Sequence, residues 1–218
     1  FEREAVDRLI VILRERGLLR KDATLLEIGG NIGTQTVYFA LSDTYIKIVS
    51  IEPDPRNFPL LALNIRQNRL EEKVRLVNCA AGEHEGEIDF FLNLDNHGKS
   101  SAIRQSPTDR KISVPVKPVS EILAGLSVDP AAIGLVWMDI EGYEPVACRS
   151  MQPLLARRVP LHMEFTPLFY GPEGTKAFIS MLSGFYEDCL VLFEDREEEM
   201  KVRDLPVDFD QYNVLFLP

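Results

Sequence analysis

The run Thr24-Leu25-Leu26-Glu27-Ile28-Gly29-Gly30-Asn31-Ile32-Gly33-Thr34 sets the strongest limit on what this chain can fold into. An apolar, strand-like stretch leads into a glycine-rich turn, and a helical pattern over 36–41 follows at once. Glycines at such a turn let the backbone approach a ligand, and the helix start adds unpaired N–H groups. At the opening of a parallel sheet, this is where nucleotide-like cofactors bind. A dinucleotide fingerprint begun at Gly29 needs glycine at positions 31 and 34, where the chain has Asn31 and Thr34. The pattern is instead Glu27-x-Gly29-x-x-x-Gly33. An acidic residue at the strand tip repels a pyrophosphate and suits a ligand carrying an ammonium group, as S-adenosylmethionine does. The plain alternative is a βα turn that needs glycine only for positive φ.

The rest of the chain alternates strand and helix patterns. Val6, Leu9, Ile10 and Leu13 share one face of an N-terminal helix placed within 1–20, with Gly17 at its C-terminal cap. Core strands are expected at 24–28, 46–51, 74–78, 134–138, 159–165, 189–193 and 212–217. The runs 87–92 and 112–117 read as an inserted antiparallel pair flanking a polar loop, 93–111. Helices are expected from Pro55, capped by Asp54, from Pro145, and over 175–183. Glu197, Glu198 and Glu199 read as part of an acidic loop. The alternation argues for a parallel α/β sheet, and the last two strands, with no helix between them, can pair antiparallel. No repeat or linker divides the chain, so 1–218 is expected to be a single domain.

Composition removes some functions. With 24 Lys+Arg against 34 Asp+Glu the net charge is −10, which gives no broad attraction to nucleic acid. No apolar run approaches the roughly 20 residues of a membrane span. Cys79, Cys148 and Cys189 are too scattered for a metal quartet or a disulfide framework and read as core thiols in a reducing, cytoplasmic compartment. Phe1 in place of methionine suggests a processed, cropped or partial chain.

Glu52, at the end of the second strand, can accept hydrogen bonds from both ribose hydroxyls of an adenosine cofactor. Asp139 ends the fourth core strand, with Glu141 and Glu144 in the same turn, and Glu164 ends the next strand. Neighbouring strands would bring Asp139 and Glu164 together, as a base with its partner; a magnesium site is the less favoured alternative. His97 lies in the polar loop and is a candidate acid/base or acceptor-orienting group. His84 reads as solvated, His162 as a core or sheet-surface residue sharing parity with Glu164, and Trp137 as core. Phe169 and Tyr170 are candidates to line an acceptor pocket.

Taken together, Glu27-x-Gly-Gly-Asn-Ile-Gly, Glu52-Pro-Asp-Pro, Asn78-Cys-Ala-Ala-Gly and Met138-Asp-Ile-Glu-Gly-Tyr-Glu resemble the FkbM family of S-adenosylmethionine-dependent methyltransferases. The resemblance implies a class I, Rossmann-like α/β fold: a mostly parallel seven-stranded sheet with an antiparallel last strand and the inserted β pair. It implies O-methylation of a hydroxyl on a sugar, polyketide or other small molecule. Cofactor contacts would come from Glu27, Gly29, Gly30, Asn31, Gly33, Thr34, Glu52, Pro53 and Asp139. The segment after the third strand lacks the acidic residue often placed near adenine, which leaves backbone groups or Cys79 and Ala80. Asp139, Glu141, His97 and Glu164 are the catalytic candidates, Asp139 first. The rivals are a nicotinamide-dependent oxidoreductase and a non-catalytic module that keeps the fold. The acceptor and the oligomeric state stay open.

Overall fold

The computed structural model describes residues 2–193 and 196–218. Helix α1 (Glu2–Glu15) buries Val6, Leu9 and Leu13, and Gly17 follows it in the left-handed region at φ 69°. Phe1, at the start of the expected 1–20 segment, lies outside the described residues. Strand β1 (Thr24–Ile28) is buried along its whole length, and β2 (Lys47–Ile51) is buried beyond its first residue. Between them α2 (Thr34–Leu41) starts two positions before the expected 36. Helix α3 (Asn57–Gln67) and β3 (Val74–Val77) complete the first half.

A short β4 (Ala80–Ala81), then β5 (Gly86–Leu92) and β6 (Arg110–Lys117), form a separate three-stranded sheet in the order β4-β6-β5. The inserted pair is thus a triplet, because the short Ala80–Ala81 run pairs parallel with β6. Helix α4 (Val119–Gly125), absent from the sequence expectations, leads into β7 (Ile133–Met138). Helices α5 (Glu144–Ser150) and α6 (Gln152–Ala156) follow, then β8 (Leu161–Phe165) and α7 (Pro167–Ser183). α7 begins well before the expected 175. Gly171, at φ 67°, and Pro172 kink it, which breaks the helical periodicity in the sequence. Strands β9 (Asp188–Leu192), β10 (Glu197–Lys201) and β11 (Tyr212–Phe216) close the chain.

The main sheet has eight strands, not seven, in the order β10-β9-β11-β8-β7-β1-β2-β3. β1, β2, β3, β7 and β8 are parallel, and β11 enters antiparallel to both β8 and β9. The eighth strand is the acidic stretch expected as a loop. β10 pairs antiparallel with β9, and α1 answers its charge: Arg8 Nε meets Glu197 at 3.0 Å and Arg16 Nη2 meets Glu199 at 2.7 Å. A charged edge strand of this kind also discourages pairing with another chain.

Side-chain alternation divides the core between the two faces of the sheet. Leu26 and Ile28 point into a layer with α4, α5, α6 and α7, while Leu25 points into one with α1, α2 and α3. Helices on both faces explain why β1 and β7 read as continuous apolar runs. Trp137 is core, as expected, and stacks on His162 with ring centroids 4.1 Å apart. Among the described residues, no helix is long and apolar enough to cross a membrane.

Candidate active site

The turn after β1 is fixed from both neighbouring strands. Gly29 and Gly30 donate their N–H groups to the Ile51 carbonyl at 2.9 and 3.0 Å, and Asp139 donates its own to Ile28 at 3.0 Å. Gly29 sits at φ 96°, and a Cβ there would collide with the Asp139 carbonyl, so only glycine lets the two strand ends meet. Asn31, at φ 47°, turns its N–H to Glu52 Oε2 at 2.7 Å. Glu52 Oε1 accepts from the Asp54 N–H at 2.7 Å. Each carboxylate oxygen is therefore anchored by one backbone donor and keeps a lone pair free. Burial, opposed by these two bonds, pushes the Glu52 carboxyl up to about 7.

Glu27 is placed differently from the expectation. It is fully buried beneath the turn, outside the cavity wall, and its Oε2 accepts from the Thr36 and Ser50 hydroxyls at 2.5 Å each. The alternation of β1 directs it inward, where α2 and β2 supply hydroxyl partners. Burial pushes its carboxyl up to about 7; Oε2 braces the turn, while Oε1 is buried with no hydrogen-bond partner. Gly30, Gly33 and Thr34 also lie outside the cavity wall. Gly30 and Gly33 instead let the turn approach Ser50 and Leu61. Asp54, expected as a helix cap, accepts from the Arg56 N–H at 2.8 Å and pairs with its guanidinium.

A cavity of about 270 Å³ opens at the C-terminal ends of β1, β2 and β7. Gly29, Asn31, Glu52, Pro53, Cys79, Ala80, His97, Asp139 and Glu141 line it, so the structure brings together most of the residues singled out from sequence. Burial pushes the Cys79 thiol up to about 11, leaving it protonated. Asn57, Phe90 and Tyr143 also line the cavity and were missed. Asn57 had a signal, since it follows the Glu52-Pro-Asp-Pro-Arg run directly, but within a helix expected from Pro55 it reads as one more polar position of the first turn.

The first part of the 93–111 loop is a strap across this cavity. Asn96 to Ser100 line it, and Arg56 donates to the Asn93 carbonyl at 3.1 Å and to Ser100 Oγ at 2.8 Å. Farther along, Ser101 Oγ donates to the Glu141 carbonyl at 2.8 Å. His97 touches the cavity as part of the strap, and its carbonyl accepts from Asn57. His84 is exposed. Burial drives His162 down to about 3, so it stays a neutral core residue.

At the Asp139 side of the cavity, one carboxylate oxygen from each of Asp139, Glu141 and Glu164 lies within 4.8 Å of the others. Glu164 is not in the cavity wall but stands behind Asp139 on the neighbouring strand. Burial, then the charges of Asp139, Glu141 and Glu144, then a side-chain hydrogen bond with Asp139, push Glu164 up to about 9. Gln211 also donates to Glu164. At neutral pH the Asp139–Glu164 pair thus holds one proton between two oxygens. Glu141 rises to about 7 through burial and then the Asp139 charge. Such oxygens could meet a hard cation; the interaction present is the proton-sharing pair.

Glu144 turns away from this chemistry. It is fully buried and accepts from the N–H groups of Ile140 at 3.1 Å and Gly142 at 3.3 Å. Tyr170 donates its hydroxyl to Glu144 at 2.8 Å, so it braces the turn from inside instead of lining a pocket. Phe169 packs over Gly142.

The fold of this chain is similar to that of solved methyltransferases. The FkbM methyltransferase from Methylobacillus flagellatus KT superposes with a TM-score of 0.59 at 17% identity, covering 92% of this chain and 45% of that one. This chain therefore spans less than half the length of that structure. A putative caffeoyl-CoA O-methyltransferase from Staphylococcus aureus superposes at 0.55 with 12% identity, over 98% of this chain and 83% of that one. At these identities the likeness is one of fold. In sequence, the chain is 27% identical over 198 residues to 2-O-methyltransferase NoeI of Sinorhizobium fredii (strain NBRC 101917 / NGR234), covering 83% of this chain and 77% of NoeI. The model of the methyltransferase FkbM domain matches residues 27–199, and the chain belongs to the FkbM methyltransferase family.

Proposed function

We propose that this chain is an S-adenosylmethionine-dependent O-methyltransferase acting on a hydroxyl of a neutral small molecule, with 1–218 forming one catalytic domain. The observation that carries the reading is Glu52. Its carboxylate is held at the cavity wall by the Asn31 and Asp54 N–H groups, with acceptor capacity left for the hydroxyls of a ribose. The donor set fits: Gly29 allows close approach, Glu52 accepts, and Asn57 adds a buried amide oxygen that no protein group satisfies. When bound, S-adenosylmethionine supplies a methyl group on a sulfonium as the electrophile.

The chain's own residues then have three tasks. The turn 29–33 and Glu52 hold the nucleoside, fixing distance and angle for an in-line displacement. The strap 96–100 covers the cavity and limits water. Asp139, at the cavity wall, accepts the acceptor's hydroxyl proton, while Glu164, protonated behind it, donates a hydrogen bond to hold that carboxylate in place. His97 remains a candidate to orient the acceptor. An acid cluster at the reaction end disfavours carboxylated or phosphorylated acceptors, which supports a neutral one. The three free cysteines, all buried, suit a reducing compartment, in keeping with a cytoplasmic enzyme.

Calorimetry with S-adenosylmethionine, S-adenosylhomocysteine and NAD tests the cofactor assignment. The two sulfur ligands are expected to bind in the micromolar range, with Glu52→Gln weakening them about tenfold through lost acceptor capacity. Binding of NAD alone would overturn the assignment.

A further inference from the structure

Asn57 is the first residue of α3, lines the cavity and is only 2% exposed. Half of its amide is used. Nδ2 donates to the His97 carbonyl in the strap at 3.3 Å. A carbonyl can only accept, so this bond fixes which way the amide points: nitrogen toward the strap, oxygen away from it. That oxygen, Oδ1, is buried with no hydrogen-bond partner. Buried polar atoms are nearly always matched, and an unmatched one at a cavity wall calls for a donor from a ligand. Glu52 lines the same cavity and, when ionised, also only accepts. Two such acceptors on one cavity wall suit the hydroxyl and amino donors of a nucleoside.

We infer that Asn57 binds the nucleoside half of the methyl donor through Oδ1 and, through Nδ2 of the same amide, clasps the 96–100 strap over it. The inference rests on the cofactor assignment above and adds a residue that couples cofactor occupancy to strap closure. A ligand on Oδ1 fixes the rotamer that presents Nδ2 to His97, so binding and closure reinforce each other.

The test uses the full chain, S-adenosylhomocysteine as the probe, and two readouts: affinity by calorimetry and tryptic cleavage after the exposed Lys99, followed by mass. In the wild-type protein the ligand is expected to bind and to slow cleavage at Lys99 by about fivefold or more. Asn57→Leu removes both functions and is expected to weaken binding about tenfold and abolish the protection. Asn57→Asp keeps an acceptor but turns an oxygen toward the His97 carbonyl. It is expected to bind within about threefold of wild type while losing protection at Lys99 even when saturated. A merely structural asparagine would not separate the two readouts. Should Asn57→Leu fail to fold, Asn57→Ala replaces it. Wild-type affinity in Asn57→Leu, or equal loss of affinity in Asn57→Leu and Asn57→Asp, would overturn the inference while leaving the cofactor assignment intact. No binding by the wild-type protein would overturn both.

Discussion

Glu27 and Asp139 end neighbouring parallel strands, and the fates of their carboxyls differ because of what stands behind each. Glu27 has a folded-state value raised from 4.5 to about 7, chiefly by burial. The native state therefore binds its proton more tightly than the unfolded chain does. The associated stability is fully present below about pH 4.5 and is lost as pH rises through about 7. Glu27→Gln keeps an acceptor for Thr36 and Ser50 without the ionisation. Its melting temperature is expected to fall less than that of wild type between about pH 5 and about pH 8, a relative gain on the order of 1–3 kcal/mol at the upper end. Melting curves across that range check this, and a parallel decline in the two proteins would refute it. For the proton-sharing pair, Asp139→Asn is expected to lower turnover by about 10²–10⁴ with S-adenosylhomocysteine binding retained. Glu164→Gln still donates to Asp139 and is expected to lose less than about tenfold. Steady-state rates with an identified acceptor would separate them. The Asp139–Glu164 meeting was legible because adjacent strand ends must approach. The inward aim of Glu27 was not, since Thr36 and Ser50 become its neighbours only after α2 and β2 pack.

At the level of elements, two segments depend on single arginines. Arg56 spans from Asp54 to Asn93 and Ser100. Arg56→Ala is expected to speed tryptic cleavage at Lys99 severalfold in the absence of ligand, with a global loss of only about 1 kcal/mol. Arg8 ties α1 to the β9–β10 hairpin through the Phe193 carbonyl at 2.5 Å, the Arg196 carbonyl at 2.9 Å and Glu197 at 3.0 Å. Arg8→Ala is expected to raise amide exchange across 197–201 about tenfold while protection in β1 is unchanged. Uniform loss across both would count against a local role. β10 was illegible for the same reason: three consecutive glutamates read as a solvated loop unless Arg8 and Arg16 are known to face them. Helix α7 was half legible, because Gly171 and Pro172 interrupt its pattern without ending it. The strap was seen as a polar loop, but its closure over the cavity needed the reach of Arg56.

For the molecule as a whole, the parallel α/β plan was written in the alternation of apolar runs and helical faces, and the glycine turn located the cavity. The balance of charge was equally plain. A net charge of −10 with buried carboxyls at the strand tips should make the folded state salt-sensitive. At about pH 8, raising salt from roughly 20 mM to roughly 300 mM is expected to raise the melting temperature by screening this self-repulsion. A flat or falling response would show that the surface ion pairs outweigh it.

The small second sheet has a consequence for how such an enzyme could be remade. β5 and β6 stay in register from Gly86 opposite Val116 to Leu92 opposite Arg110, so the ribbon leaves and rejoins the body at neighbouring points. It has its own apolar cluster of Ala80, Phe90, Leu92, Val114 and Val116, apart from the two layers of the main core. Between Leu92 and Arg110 the chain runs out from the tip of this ribbon. Its first part is tied back to the body at Asn93, His97, Ser100 and Ser101, and the stretch 102–109 lies beyond those ties. A different tip could be spliced on there, longer, shorter or of another polarity, with no strand of the large sheet asked to move. The protein therefore carries its own grafting point, and new acceptor preferences could be sought there first by exchanging cassettes.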